Sequence, residues 1–313
     1  MRIAVTGSSG FLGTALCASL AARGDTVVGL HTANCDLTRD GALESAADGR
    51  FDQVFHLAAW TQAGDFCLHH PGEQWIINQQ INTNVLAWWQ RRQPQAKLVF
   101  MGTSCAYAPG SGHREPEYML GEPIAALHTY AMTKRMLFEG ARALSQQFGL
   151  HFLCAVPSTL YGPGYHTDGR QMHFIFDLMR KIIRGREYGE PVVLWGTGEQ
   201  KRELVYIDDF IRVLLEIAPN IDNELINVGA GVEHSIRDFA AAICRIVGFP
   251  DRDIQYDTTR YVGATTKLLD IEKLRAALPG YSTVSLEEGL HNCIQWFYAS
   301  RAYGPPTSRH TGL

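Results

Sequence analysis

A glycine-rich turn near the start of the chain constrains its fold more than any other feature. Gly7, Gly10 and Gly13 form GSSGFLG, directly after the apolar run RIAVT and at the start of a helical pattern. The first glycine permits a tight turn, and the small residues let a pyrophosphate approach the backbone. The following helix N-terminus offers N–H donors and a positive dipole end. This context predicts a dinucleotide site, with an ordinary glycine-rich loop as the alternative.

Short apolar runs alternate with helical stretches through the first half of the chain. Five runs have the length and character of buried parallel strands: MRIAVTG, DTVVGLHT, DQVFHLAAW, KLVFMGTS and HFLCAVPS. Helical patterns such as FLGTALCASLAARG and TYAMTKRMLFEGARALSQQFG lie between them. This alternation predicts an α/β fold with a doubly wound parallel sheet of the Rossmann type.

The pattern changes after Tyr161-Gly162-Pro163, where a loop rich in Gly, Tyr and His leads to later segments without regular alternation. Helices are expected in HFIFDLMRKIIRG, SIRDFAAAICRIVG, TTKLLDIEKLRAAL and SLEEGLHNCIQWFYAS. We expect residues 1–163 to form the dinucleotide-binding domain, with a segment at about 204–231 returning to it. Residues 164–203 and 232–300 are expected to form a smaller C-terminal substrate-binding lobe, and residues 301–313 a flexible tail.

Composition argues against several classes of protein. The formal charge of −4 argues against a nucleic-acid partner. We find no apolar run near the roughly 18 residues of a membrane span, and the N-terminal segment does not resemble a signal peptide. The seven cysteines are scattered without a CxxC pair, which indicates the reduced thiols of a cytoplasmic protein. Cys67, His69 and His70 share one polar loop, and we expect no metal there.

Tyr130 and Lys134 stand in the segment YAMTK, one helical turn apart, so their side chains project from one helix face. A nearby ammonium favours the phenolate, and we expect it to lower the pKa of Tyr130 and make this residue an acid or base. Thr103 ends the run KLVFMGTS and is expected to hydrogen-bond the same substrate oxygen. The alternative is a surface tyrosine with an unrelated lysine.

The end of the second predicted strand bears on the choice of cofactor. Sites for NAD usually carry an Asp or Glu at this strand end, which binds the ribose 2′-hydroxyl. Here the strand ends Gly29-Leu30-His31-Thr32, without an acid. The sequence therefore predicts NADP(H), with Asp36 and Leu37 close enough to hold the adenine. An exposed His31 without a role is the alternative.

Together these segments resemble the extended short-chain dehydrogenase/reductase family, which includes the NAD-dependent epimerases and dehydratases. The resemblance covers nearly the whole chain, through GSSGFLG, HLAA, GTSCAYAP, YAMTK, LYGP, WGTGEQKRELVYIDD and INVG. It is strongest to the members that act on GDP-4-keto-6-deoxy sugars, because Cys105 and His173 occur together. It implies a cytoplasmic homodimer that binds such a sugar and NADP(H), without nucleic acid, membrane or metal.

The resemblance also implies roles for individual residues. Thr103, Tyr130 and Lys134 match the reductase triad, and Cys105 and His173 match an acid–base pair for epimerisation. Asn78 and Asn84 fall where the family has structural or active-site asparagines. Cofactor contacts are expected from Gly7, Ser9, Gly10, Phe11, Leu12, Gly13, His31, Asp36, Leu37, Leu57, Ala58, Ala59, Tyr130, Lys134 and Pro157. Substrate contacts are expected from Ser104, Thr159, Lys181, Trp195, Arg202 and Lys267.

Two departures from the family pattern leave the substrate open. Thr159 replaces the asparagine expected before LYGP, and Thr266 replaces a basic residue before Lys267. The leading hypothesis is an NADPH-dependent enzyme that epimerises C3 and C5 of a GDP-4-keto-6-deoxy sugar and reduces C4. The first alternative is a C4-reductase or C3/C5-epimerase of another 4-keto nucleotide sugar, such as a GDP-6-deoxy-heptose. A non-catalytic nucleotide-binding module is the second alternative.

Overall fold

The structure, a computed structural model, describes residues 1–259 and 265–304 of the chain. The strands within these ranges are β1 Arg2–Thr6, β2 Thr26–Leu30, β3 Gln53–His56, β4 Lys97–Met101, β5 Phe152–Pro157, β6 Thr159–Tyr161, β7 Val193–Trp195, β8 Lys201–Arg202, β9 Leu204–Tyr206, β10 Glu224–Val228, β11 His234–Ser235 and β12 Gln255–Asp257. The α-helices are α1 Phe11–Ala22, α2 Ala42–Ala46, α3 Phe66–His69, α4 Pro71–Arg92, α5 His128–Phe148, α6 Phe174–Tyr188, α7 Ile207–Ile217, α8 Ile236–Val247, α9 Glu272–Ala277 and α10 Leu286–Ser300.

Six strands form one parallel sheet in the order β10-β5-β4-β3-β1-β2. The order reverses between β1 and β3, which is the switch point of a doubly wound sheet and confirms the predicted fold class. The five predicted runs become β1 to β5. Every residue of β3 and β4 is buried, as expected of parallel strands that are covered on both faces.

Parallel strands end at the same edge of a sheet, and this edge positions the site. In register, Thr6 of β1 pairs with Leu30 of β2 and His56 of β3, and Phe100 of β4 lies between His56 and Cys154. The glycine-rich turn follows β1, the segment 57–60 follows β3, and the segment 102–105 follows β4. Most of the predicted cofactor and reductase residues therefore lie along one edge.

A second hydrophobic cluster forms around α6, α8 and α10. Its fully buried members include Phe176, Ile182, Phe239, Ile243 and Phe297. Three two-stranded sheets accompany the helices: β6 with β9, β7 with β12 and β8 with β11. Strand β10, inside the predicted returning segment, pairs with β5 of the central sheet. Across 1–259 and 265–304, every helix is too short or too polar to span a membrane.

Two segments differ from what the sequence predicts. The helix expected across TTKLLDIEKLRAAL begins only at Glu272, because the preceding backbone bonds to distant groups: Leu269 N–H donates to the Glu203 carboxylate over 3.0 Å. Part of the expected flexible tail is held in place, since the Arg184 guanidinium donates to the carbonyls of Tyr303 and Gly304. Residues 305–313 of that predicted tail lie outside the described residues.

Candidate active site

The glycine-rich turn brings the backbone after β1 against the backbone after β3. Gly7 has φ +69°, and a Cβ there would lie 2.8 Å from the Ala58 nitrogen. A Cβ on Gly13 would lie 2.1 Å from the Gly7 carbonyl oxygen. Gly10 begins α1 without a side-chain cap, so the first backbone N–H groups of the helix are available to an anion. This cradle fits the predicted pyrophosphate.

The predicted cofactor residues after β3 and β5 border the same turn. Leu57 N–H donates to the Thr6 carbonyl, and Ala58 N–H donates to the Thr6 hydroxyl, each over 3.3 Å. Pro157 ends β5 at the same edge. Phe11 instead packs its ring against Tyr165, with ring centroids 5.2 Å apart, and so joins the glycine-rich turn to the second hydrophobic cluster.

The turn after β2 is organised by its own side chains. His31 N–H donates to Asn34 Oδ1 over 2.8 Å, and Asn34 Nδ2 donates back to the Gly29 carbonyl over 3.0 Å. The Asp36 carboxylate accepts two hydrogen bonds from Thr38. This carboxylate is therefore committed to a local turn, and the tip of β2 is without an acid, which fits a cofactor with a 2′-phosphate.

Asn78 and Asn84, predicted as structural or active-site residues, have structural contacts on α4. Asn84 Nδ2 donates to the Leu37 carbonyl over 2.8 Å and so holds the loop after β2. Asn78 is buried and exchanges hydrogen bonds with the backbone of Trp60, at 2.8 and 3.0 Å. The two amides thus anchor the loops that follow β2 and β3.

The reductase residues meet at the end of β4. Thr103 has an extended backbone, and its hydroxyl accepts from the backbone N–H of Cys105 over 3.2 Å, which turns the chain into the short helix Ser104–Ala106. A hydrogen bond with the Thr103 hydroxyl also acts on Tyr130, in the first turn of α5. The Thr103 hydroxyl therefore contacts both Cys105 and Tyr130.

The expectation that Lys134 lowers the pKa of Tyr130 is wrong for the protein by itself. Burial raises the pKa of Tyr130, and the neighbouring Cys105 and Cys67 sulfurs raise it further. Burial also lowers the pKa of Lys134 to about 8. Removal from water therefore keeps Tyr130 a neutral phenol, whereas Lys134 is still mostly protonated at neutral pH although burial disfavours its charge.

Cys105 and Lys267 are brought together although 162 positions separate them in the sequence. Lys267 Nζ lies 3.1 Å from Cys105 Sγ. Burial alone would raise the pKa of the Cys105 thiol, but Lys267, the Thr103 hydroxyl and Arg202 outweigh it and lower the pKa below its ordinary value. A lowered pKa increases the thiolate fraction, which is the form of cysteine that acts as a nucleophile or a base.

His173 immediately precedes α6. Burial, Lys267 and Arg202 lower its pKa to about 4, so the imidazole is neutral at neutral pH. Its Nδ1 atom is buried without a hydrogen-bond partner among the described residues. The same two cations act on Cys105 and on His173, which places both in one electrostatic field.

Four of the six predicted substrate residues share one small cavity, and two do not. Its lining consists of Ser104, Ser158, Thr159, Arg202, Glu203, Lys267 and Leu269. Lys181 is instead paired with Asp177 on α6, with 2.9 Å between ammonium and carboxylate. Trp195 is exposed at the end of β7. Neither Lys181 nor Trp195 lines the cavity.

Three residues of the cavity lining, Ser158, Glu203 and Leu269, were not predicted from the sequence. Ser158 is buried, and its hydroxyl has no hydrogen-bond partner within the described part of the chain. Glu203 is a buried carboxylate between β8 and β9. Glu203 directly precedes the apolar run LVY, which was the available signal for its burial, whereas Ser158 offered none.

The polar loop with Cys67, His69 and His70 has no metal cluster. Over residues 1–259 and 265–304, no group of three or more His, Cys, Asp or Glu side chains is placed to hold a metal ion. His69 lies 3.2 Å from Asp65, and His70 lies 2.7 Å from Glu73. These contacts are local, within α3 and the start of α4.

Known proteins are similar to this chain in sequence and in fold. The sequence profile of the NAD dependent epimerase/dehydratase family matches residues 3–229. GDP-L-fucose synthase of Escherichia coli (strain K12) is 29% identical over 313 residues, which covers 95% of this chain and 96% of that protein. GDP-L-fucose synthase 1 of Arabidopsis thaliana is 31% identical over 304 residues, and this match covers 95% of this chain and 93% of that protein.

Two solved structures show the same fold at low sequence identity. A GDP-L-fucose synthetase from Naegleria fowleri has a TM-score of 0.84 and 23% identity, covering 96% of this chain and 94% of that one. A GDP-6-OMe-4-keto-L-xylo-heptose reductase from C. jejuni has a TM-score of 0.83 and 21% identity, covering 96% of this chain and 98% of that one.

Proposed function

The chain belongs to the NAD dependent epimerase/dehydratase family, and within it we propose an NADPH-dependent epimerase–reductase of a GDP-4-keto-6-deoxy sugar. The enzyme inverts C3 and C5 of the sugar and then reduces the C4 ketone. The observation that carries this proposal is the 3.1 Å contact of Lys267 Nζ with Cys105 Sγ, beside Thr103 and Tyr130. The GDP-L-fucose synthases that match this chain over 95% of its length support the class of substrate.

Epimerisation requires one group that removes a proton and another that returns one to the opposite face. The C4 ketone acidifies the protons on C3 and C5, and Cys105 is the base because its pKa is lowered. His173 returns the proton. Its low pKa is due in part to Lys267 and Arg202, and the negative charge of a diphosphate near these cations would raise that pKa and let the imidazole act as an acid.

Reduction of the C4 ketone uses the part of the site beside the cofactor cradle. The glycine cradle of Gly7, Gly10 and Gly13 holds NADPH, which supplies the hydride for C4 when it is bound. Tyr130, whose raised pKa keeps the phenol protonated, donates its proton to the C4 oxygen. Thr103 hydrogen-bonds the same oxygen. Lys134 lies one helical turn from Tyr130, and its positive charge stabilises the phenolate that results.

A second candidate function rests on the two departures from the family pattern. Thr159 lines the cavity with Lys267, and the Thr266 hydroxyl donates to the Glu233 carboxylate rather than offering a positive charge. A site with one cation fewer beside Lys267 favours a different 4-keto nucleotide sugar, such as a GDP-6-deoxy-heptose. In that case the enzyme performs C4 reduction or epimerisation alone.

Isotope exchange and cofactor consumption distinguish these functions. With GDP-4-keto-6-deoxy-D-mannose and NADP⁺ in D₂O, we expect deuterium at C3 and C5 without reduction, and with NADPH we expect net consumption. Cys105→Ala should abolish the exchange, whereas Cys17→Ala, a half-buried thiol on α1, should leave it unchanged. Consumption without exchange would indicate a simple 4-ketoreductase. Neither exchange nor consumption, across a panel of 4-keto nucleotide sugars, would indicate a binding module.

The cytoplasmic location and the homodimer are part of the same proposal. The seven cysteines are all free thiols, which supports a reducing compartment. The resemblance implies a dimer contact through the helices around residues 84–92 and 130–147, and α4 and α5, which contain these residues, pack side by side within the chain. Light scattering after size exclusion tests the dimer, and cell fractionation tests the location.

A further inference from the structure

Glu203 is a carboxylate that the proposed mechanism does not use, although it lines the substrate cavity. It is 1% exposed, and a buried carboxylate is costly unless hydrogen bonds compensate for the lost water. Its Oε1 atom accepts from Gly231 N–H over 2.7 Å, and its Oε2 atom accepts from Leu269 N–H over 3.0 Å. The side chain therefore joins two loops that are distant from it in the sequence.

One of these loops carries Lys267. The segment 265–271 lies outside every helix and strand, since α9 begins at Glu272, so tertiary contacts decide where the Lys267 backbone lies. These contacts are as follows: Lys201 N–H bonds to the Thr265 carbonyl over 2.8 Å, the Thr266 hydroxyl donates to the Glu233 carboxylate, Leu269 N–H bonds to Glu203, and Asp270 N–H bonds to the His113 carbonyl over 3.3 Å. The bond from Leu269 N–H to Glu203 is two residues from Lys267, and among these contacts it is the one made to a carboxylate that is 1% exposed.

The surroundings of Glu203 are tightly fitted. A Cβ on Gly229 would lie 2.4 Å from Oε1, so a larger residue at that position would displace the carboxylate. The backbone carbonyl of Glu203 accepts from Thr159 N–H over 3.3 Å, which ties the same residue to β6. Because both carboxylate oxygens accept backbone N–H groups, a glutamine of the same shape would set its NH₂ group against one donor.

We propose that Glu203 is a positioning residue for the Cys105 thiolate: it holds the segment 267–269 so that Lys267 Nζ stays in contact with Cys105 Sγ. The role of Cys105 in proton transfer rests on the proposed function. The effect on the thiol itself does not, since it is measured without any sugar. Glu203 touches no reacting atom and acts through Lys267.

The groups that face Cys105 define what can change its titration. Lys267 and Arg202 are the cations, the Thr103 hydroxyl bonds to it, and the Tyr130 phenol lies beside it. Among the groups that lower the pKa of Cys105, Lys267 acts most strongly. Loss of the Lys267 contact should therefore raise the pKa of the thiol.

Glu203 has its own set of neighbours. Burial raises its pKa to about 7, the backbone N–H groups of Leu269, Gly231 and Ala230 lower it, and Glu233 raises it slightly. The carboxylate that accepts from Leu269 is therefore partly protonated near neutral pH. Alkylation of Cys105 is best followed from neutral to alkaline pH, where Glu203 is ionised.

The test is the pH profile of Cys105 alkylation by iodoacetamide, read by peptide mass spectrometry on the full chain without sugar or cofactor. Glu203→Gln should move the midpoint up by about one pH unit, which lowers the alkylation rate near neutral pH about tenfold. Lys267→Met should move it at least as far, and the double variant should move it no further. Glu224→Gln, a surface carboxylate paired with Lys273, is the matched control and should leave the profile unchanged.

Distinct outcomes decide the two proposals. An unchanged midpoint in folded Glu203→Gln overturns the positioning role. Should Glu203→Gln not fold, Lys267→Met decides alone, since an unchanged midpoint there removes the contact on which the role depends. Shifted midpoints support the role even where the parent enzyme shows no deuterium exchange, and that last result would overturn only the proposed function.

Discussion

The cofactor side and the substrate side of this site are built in different ways. The glycine-rich turn of the cofactor cradle is one short segment, in which Gly13 lies against the Gly7 carbonyl, and Gly7 packs against the backbone of Ala58 after β3. The substrate side collects Cys105, His173 and Lys267 from segments up to 162 positions apart. The cradle therefore depends mainly on local backbone geometry and one neighbouring strand end, whereas a cluster of side chains depends on the whole fold.

The two sides also differ in how they use charge. The cradle offers neutral N–H groups and the end of a helix dipole. On the substrate side, neighbouring groups lower the pKa of Cys105 although burial opposes this, burial and two cations lower the pKa of His173 to about 4, and burial raises the pKa of Glu203 to about 7. Changes on the cofactor side should therefore alter binding, and changes on the substrate side should alter protonation.

Tyr130 lies where the two sides meet, and its loss should have the largest effect. Tyr130→Phe should lower the rate of C4 reduction about 10³-fold, because no other group donates the proton as directly. Deuterium exchange at C3 and C5 should continue, since Cys105 and His173 remain. NADPH oxidation and mass spectrometry measure the two activities, with Tyr188→Phe, an exposed tyrosine, as control. Equal loss of both activities would contradict the division into two sides.

Lys134 should show that the site is built at the expense of stability. Its folded-state pKa of about 8 lies below that of a free lysine, so at neutral pH the full cost of its buried charge is present. Lys134→Met should raise the free energy of unfolding at neutral pH by about 2–3 kcal/mol while it abolishes reduction. The gain should vanish as the pH rises beyond about 10.5, where lysine is neutral in both states.

Urea denaturation at the two pH values measures this change in stability. Lys97→Met is the contrasting variant, because Lys97 is buried but paired with Asp222 over 2.6 Å, and its loss should destabilise the protein. Destabilisation by Lys134→Met at neutral pH would show that the charge of Lys134 is compensated.

Adding a single methyl group to the glycine cradle should weaken the binding of NADPH. Gly13→Ala places a Cβ 2.1 Å from the Gly7 carbonyl and must displace the turn, so the Kd for NADPH should rise by about 10–100-fold, or about 1–3 kcal/mol. Titration followed by tryptophan fluorescence measures the Kd. Gly72→Ala near the start of α4, where a Cβ meets nothing within 4 Å, should bind NADPH as the parent does. An unaltered Kd in Gly13→Ala would remove the cradle from the binding site.

The choice of cofactor should depend on the tip of β2. We expect kcat/KM for NADPH to exceed that for NADH by about tenfold or more, because no acid at this tip repels a 2′-phosphate. His31→Asp should narrow or reverse the preference. Steady-state kinetics with both cofactors measure it, and a higher kcat/KM for NADH in the parent enzyme would contradict the argument.

Away from neutral pH, the buried histidines should make the protein sensitive to acid. His173 and His56 have folded-state pKa values of about 4 and about 3, below the unfolded value of 6.5. As the pH falls below 6.5, these histidines become protonated in the unfolded chain but stay neutral in the folded chain. Each histidine therefore lowers the free energy of unfolding by up to about 1.4 kcal/mol per pH unit. His173→Gln should remove its share of this slope between pH 6.5 and 4, as measured by urea denaturation. An equal slope in parent and variant would show that His173 does not contribute.

Much of the fold was predictable because its signals are local. The runs that become β1 to β5 are continuous, and α8 begins with the capping box of Ser235 and Asp238 and ends at Gly248 in the left-handed conformation. The helix expected across 265–278 shows the limit of such signals. Its first half has a helical pattern, but the Leu269 N–H bonds to Glu203 instead of to its own turn.

In the candidate site, too, the local features were predictable from the sequence and the contacts between distant segments were not. Spacing along the chain determines the glycine cradle and the placement of Tyr130 and Lys134 on one helix face, because neighbouring residues share one turn or one helix. The protonation of these groups depends on burial and on charges from distant segments, which no local pattern records. Only the folded chain brings Lys267 Nζ into contact with Cys105 Sγ, and only burial in it raises, rather than lowers, the pKa of Tyr130. In the same way, only the folded chain lets the Glu203 carboxylate accept the Leu269 N–H.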